Sequence, residues 1–114
     1  NVNFPGADLQ FNLSGEELIA LQKASAVYGL PDLTFCSEEG LDTIKLILRD
    51  KENDTSNTYD LTVAGCSTGT YSLDLKIENI RLLPGDYTVK VSKHLISEWT
   101  NVNADLTYYI ALEP

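Results

Sequence analysis

His94 is the only histidine in the chain, so any imidazole chemistry would have to centre on it. The sequence offers it no partner at a recognisable spacing, and a Ser–His–Asp arrangement is defined by geometry rather than by chain position. His94 therefore reads as a surface residue. Carboxylates gather at Glu38-Glu39 and at Asp50, Glu52 and Asp54. Both groups fall in predicted turns, where acidic side chains serve solubility and turn chemistry. The run from Asp50 to Asp54 weakly resembles a calcium loop but lacks the Gly and the terminal Glu at the required spacings. No Gly-rich phosphate loop follows a strand and opens a helix. These residues point to no catalytic reaction, no metal and no cofactor; the expectation is a protein that is not an enzyme.

Two cations suggest a different kind of chemistry. Lys23 and Arg81 each stand alone on a predicted helix, among residues that are otherwise acidic, polar or apolar. With 8 Lys and Arg against 17 Asp and Glu, the net charge is −9. That balance opposes indiscriminate coating of nucleic acid, which needs a basic surface, but leaves room for a few placed cations acting locally on a polyanion. The plain alternative is that both are ordinary solvated charges.

Those side chains need elements to hold them. A length of 114 residues suits one domain with a proper core. No apolar run approaches the ~18–20 residues that span a bilayer, and the first residues lack the basic end and apolar stretch of a signal peptide. The chain begins without Met, which reads as a fragment. Cys36 and Cys66 are far apart and not in a C-x-x-C spacing. One disulfide is possible, but Cys36 inside an apolar strand favours free thiols.

Ala7–Leu13 alternates Leu9, Phe11 and Leu13 against polar residues, a half-buried strand. Ser14 and Glu17 then form a capping box that starts a helix through Tyr28. Leu18, Leu21, Ser25 and Tyr28 make its core face, with Lys23 on the other side near Ile19 and Val27. Gly29 and Pro31 end it. Strands are predicted at Leu33–Ser37, Leu41–Arg49, Thr58–Ala64 and Thr70–Ile77, followed by a short helix Glu78–Leu83 closed by Pro84-Gly85. Two strands, Tyr87–Ser92 and about Asp105–Leu112, complete the chain, while Trp99 and Asn101–Asp105 fit no element. The expected fold class is α+β: an antiparallel sheet with one long and one short helix together on one face, Lys23 and Arg81 exposed there.

Three stretches carry a family resemblance: Phe4-Pro5 leading to Ser14-Gly-Glu-Glu-Leu18; Tyr59-Asp-Leu-Thr62 before Asn79-Ile-Arg-Leu-Leu-Pro-Gly-Asp-Tyr87; and Tyr108-Tyr-Ile-Ala-Leu-Glu113. In this order and spacing the chain resembles the C-terminal domain of the DNA polymerase sliding clamp, or processivity factor, of T-even-type tailed bacteriophages. The resemblance implies a DNA-clamp fold over residues 1–114, with residues 1–6 as the end of an interdomain linker and an N-terminal domain absent. It implies a homotrimeric ring that encircles duplex DNA without reading sequence, tethers the replicative DNA polymerase, meets a clamp loader, and works in the cytoplasm of the bacterial host with no membrane contact. Lys23 and Arg81 would face DNA. Phe4, Tyr109, Ala111 and Leu112 would form a pocket for partner peptides, and Thr58, Tyr59, Leu61 and Val63 an edge between subunits. The plain alternatives are core-facing Leu112 and an ordinary edge at Tyr109. A different class of reading is an Ig-like or jelly-roll phage structural or adhesion module, which alternating strands and acidic turns also suit. The four-turn helix after the first strand separates the two, since a plain sandwich rarely has one there.

Overall fold

The computed structural model describes residues 3–53 and 57–114. Eight antiparallel strands follow in chain order: β1 (Leu9–Leu13), β2 (Asp32–Ser37), β3 (Thr43–Arg49), β4 (Tyr59–Ser67), β5 (Tyr71–Lys76), β6 (Tyr87–Ser92), β7 (Ile96–Asn101) and β8 (Thr107–Ala111). They form one sheet in the order β5-β2-β3-β4-β1-β6-β7-β8. The sheet folds over so that its halves face each other: Phe11 and Phe35 rings lie 5.7 Å apart, and Phe35 meets Trp99 at 6.4 Å. Its end strands approach closure, because the Glu113 amide beyond β8 donates to the Asp74 carbonyl of β5 at 2.8 Å.

β4 makes the fold possible by belonging to both halves. Residues 59–64 pair with β3, and Gly65, Cys66 and Ser67 pair with Phe11, Gln10 and Leu9 of β1. The switch falls at Gly65. A Cβ there would lie 2.7 Å from both the Gln10 carbonyl oxygen and Ile44 Cγ1, so only glycine lets the strand pass this close to its neighbours.

The one α-helix, α1 (Gly15–Tyr28), starts as its sequence requires. Ser14 Oγ accepts from the Glu17 amide at 3.1 Å, and Glu17 Oε1 accepts from the Ser14 amide at 2.9 Å, which satisfies two of the donors that a helix N-terminus leaves free. Gly29 at φ 65° ends it in the left-handed region, open to glycine at little cost. Its buried residues are Leu18, Leu21 and Ala24; Tyr28, expected on the core face, is 58% exposed. The helix that distinguishes this chain from a plain sandwich is present.

The expected pair of helices, one long and one short, is not. The second segment contains a single 3₁₀ turn, Ile77–Asn79, so the chain is a mostly antiparallel β fold with one helix rather than the predicted α+β layout. Six residues barely exceed the costly helical nucleus, and here stronger bonds compete for them. Ile77 and Ile80 are both buried, the Leu83 amide donates to the Tyr108 hydroxyl, and the Leu83 carbonyl accepts from the Tyr87 hydroxyl. Those partners hold the backbone in place of helical bonds. The sheet also gains a strand the sequence reading lacks, β7, which places Trp99 at the centre of the core.

Candidate nucleic-acid and subunit surfaces

Lys23 and Arg81 are both exposed, and among the described residues neither forms an ion pair. Arg81 Nε donates to the Glu78 carbonyl at 3.1 Å. A hydrogen bond joins their neighbours: Gln22 Nε2 donates to the Ile80 carbonyl at 3.2 Å. That bond sets the exposed turn of α1 beside the segment that carries Arg81, although the latter is extended chain and not helix. The other end of α1 is tied down by Asp86, whose Oδ1 accepts from the Gly15 amide at 2.7 Å.

Most remaining cations are engaged elsewhere. On the outer face of β2, β3 and β5, Lys76 Nζ contacts Asp32 at 2.6 Å, while Arg49 and Lys51 contact Asp74 at 3.3 and 3.0 Å. Thr34 Oγ1 also donates to Asp74. Asp32 is 1% exposed, and burial alone would raise its carboxyl. The Lys51 amide and the Lys76 ammonium outweigh burial and hold it below the usual carboxylate range. Asp74 is lowered in the same way, against burial, by Thr34, Lys51 and Arg49. Lys76 is raised, chiefly by its hydrogen bond to Asp32. These charges brace the sheet and are not free to meet a polyanion.

The residues proposed for a peptide pocket divide. Phe4 lies with its ring 6.4 Å from that of Tyr109, so two of them meet on the outer face of β8. Tyr109 is 39% exposed, and its hydroxyl donates to Glu98 Oε2 at 3.1 Å, a bond that raises its pKa. Ala111 is exposed. Leu112 is 6% exposed and part of the core, so its side chain is withdrawn from that surface.

The residues proposed for a subunit edge lie at the open half of β4. Residues 59–63 are laddered to β3, whereas pairing with β1 covers only residues 65–67. Among the described residues, the other side of 59–63 carries no strand. Tyr59, Leu61 and Val63 turn toward the core, so what this edge offers a neighbour is backbone. Thr58 is exposed immediately before it.

The carboxylates considered for chemistry stay dispersed. Glu38 and Glu39 are exposed in the β2–β3 turn, and His94 is exposed between β6 and β7. Asp50 Oδ1 accepts from the Glu52 amide at 3.1 Å, a turn bond; Asp54 lies outside the described residues. Among the described residues no group of His, Cys, Asp and Glu could hold a metal ion, and no helix is long and apolar enough to cross a membrane. Cys36 and Cys66 are both free thiols.

The sequence reading missed Gln22, whose bond to Ile80 spans 58 positions and has no local signature. It also missed the hub at Asp8, which accepts from Thr68 Oγ1 at 2.9 Å and the Lys93 amide at 2.8 Å. A polar residue opening a strand is too common to mark such a hub.

A helix after the first strand, a sheet folded over one aromatic core, and sparse cations on an exposed helical face define a clamp-like domain. In agreement, the chain is 31% identical over 116 residues to the sliding clamp of Vibrio phage KVP40. The match takes in 98% of the chain and 52% of that protein, so the chain spans about half the length of the relative. No protein-family model matches.

Proposed function

We propose that this chain is the C-terminal domain of a sliding clamp of the T-even type, a DNA polymerase processivity factor. In this reading three full-length subunits close a ring around duplex DNA in the cytoplasm of the bacterial host. The ring is loaded by a clamp loader and tethers the polymerase. It is not an enzyme; its work is topological. The similarity to a phage sliding clamp over 98% of the chain carries the reading.

The geometry supports a DNA-facing role for Lys23 and Arg81, because the Gln22–Ile80 bond holds their backbones side by side on an exposed surface. Contacts to phosphate are salt-screened and carry no sequence information, which suits a protein that slides. Two such cations in a chain of net charge −9 favour a loose tether over a tight complex. Phe4, Tyr109 and Ala111 remain the proposed surface for partner peptides, and the open half of β4 the proposed subunit boundary.

Replacing Lys23 and Arg81 together by Glu in the full-length clamp tests this reading. Primer extension on a long template is expected to yield shorter products, and the salt slope of DNA association to fall by about one unit per lost contact. Product length unchanged by the double reversal would reduce both side chains to ordinary surface charges.

A further inference from the structure

At the last turn of α1, Val27 and Tyr28 are 75% and 58% exposed. Large apolar surface at the end of an otherwise well-buried helix calls for a reason. Tyr28 shares a cleft of about 410 Å³ with Asn57, Thr58 and Tyr59. The cleft therefore opens beside the first residue of the β4 half that is laddered on one side only.

An open ladder accepts one kind of occupant, an extended strand that supplies the missing donors and acceptors. This edge also lacks the usual protection: residues 59–63 include no Lys and no Pro. Its outward side chains are Asp60 and Thr62, both exposed, and among the described residues Asp60 forms no ion pair. The Asp60 carboxylate and the overall charge of −9 repel nucleic acid and favour a basic side chain on the incoming strand.

We infer that the last turn of α1 and the open half of β4 form a single docking surface for an extended strand of a neighbouring subunit. An apolar side chain of that strand fills the Tyr28–Tyr59 cleft, and a basic side chain lies opposite Asp60. The inference rests on the clamp reading, which sets copies of the protein side by side, and it adds the helix end to the contact. The chain matches 52% of its relative, so a subunit of that length carries about as much polypeptide again from which the strand can come.

Sedimentation equilibrium of the full-length subunit, with hydrogen exchange across β4, tests it. Tyr28→Ser and Asp60→Lys are each expected to move the assembly midpoint to at least tenfold higher concentration, and Tyr28→Phe to leave it in place, because the ring and not the hydroxyl fills the cleft. The 114-residue chain bearing the same substitutions should melt as the parent does, since none of these side chains packs in the core. Assembly that protects the amides of residues 59–63 but is unmoved by Tyr28→Ser and Asp60→Lys would overturn this inference and leave the ring reading standing. Assembly that leaves those amides unprotected would overturn both the inference and the proposed subunit boundary.

Discussion

The two halves of β4 are one strand in sequence and two environments in space. Residues 65–67 are paired with β1, and at Gly65 the backbone passes so close to Gln10 and Ile44 that a single methyl group has no room. Residues 59–63 are paired with β3 alone and turn their other edge outward. Packing density in the first half leaves no freedom of residue type, whereas the second tolerates changes that do not touch its inward face. A strand's conformation therefore says little about its role. What decides it is how many sides are satisfied, and by which chain.

Gly65→Ala should sharpen this contrast most. Overpacking against backbone and the Ile44 side chain is expected to cost about 3 kcal/mol, read by urea denaturation of the 114-residue chain. A loss under ~1 kcal/mol would mean that the crossing is looser than its distances imply. Asp32→Asn on β2 comes next, at about 2 kcal/mol, because it weakens acceptance from the Lys51 amide and removes the partner of Lys76. Asp8→Asn, at the corner where β1 meets the residues after β4, is expected to cost about 1 kcal/mol. Thr62→Ala on the open half should change stability by no more than ~0.5 kcal/mol. If Thr62→Ala matched Gly65→Ala, the two halves would be equally constrained and the comparison would fail.

Acid provides an independent measure. Burial pushes the carboxyls of Asp8, Asp32 and Asp74 up, but hydrogen bonds from Lys93 and Thr68, from Lys51 and Lys76, and from Thr34, Lys51 and Arg49 respectively bring each below its ordinary value. A carboxyl lowered in the folded state adds stability above its unfolded pKa of ~3.9, and that stability is lost as pH falls through the lower folded value. The melting temperature should hold from pH 7 to about 5 and drop steeply below about 4. In Asp32→Asn the drop should be shallower. An unchanged acid profile in that variant would show that the Asp32 bonds add nothing to stability.

Much of the local structure was legible because it depends on neighbours in sequence. The capping box of Ser14 and Glu17, the left-handed Gly29 and the alternation of Leu9, Phe11 and Leu13 are short-range physics, and each appears as read. β7 was not legible. Its inward residues are Ser97, Trp99 and Asn101, so the apolar alternation that marks a strand is broken on the side that is buried. Those polar groups are tolerated because distant partners satisfy them: Ser97 Oγ donates to the Ile110 carbonyl at 2.8 Å and accepts from Trp99 Nε1 at 2.9 Å. The failed second helix has the same origin, since Tyr87 and Tyr108 capture the backbone of Leu83 from other strands.

For the candidate surfaces the division is similar. Residue types alone marked Lys23 and Arg81 as isolated cations in an acidic chain, and motif order alone suggested the clamp resemblance. Which cations are free, however, depends on Asp32 and Asp74 claiming Lys76, Arg49 and Lys51 across strands. The sequence determined where the chain turns, caps and alternates, because those choices are settled within a few residues. Only the tertiary structure decided that Leu112 is core, that Tyr28 is surface, and that β4 is closed at one end and open at the other. Burial and ladder pairing are set by residues far away in the chain, and no local pattern encodes which side of a strand will find a partner.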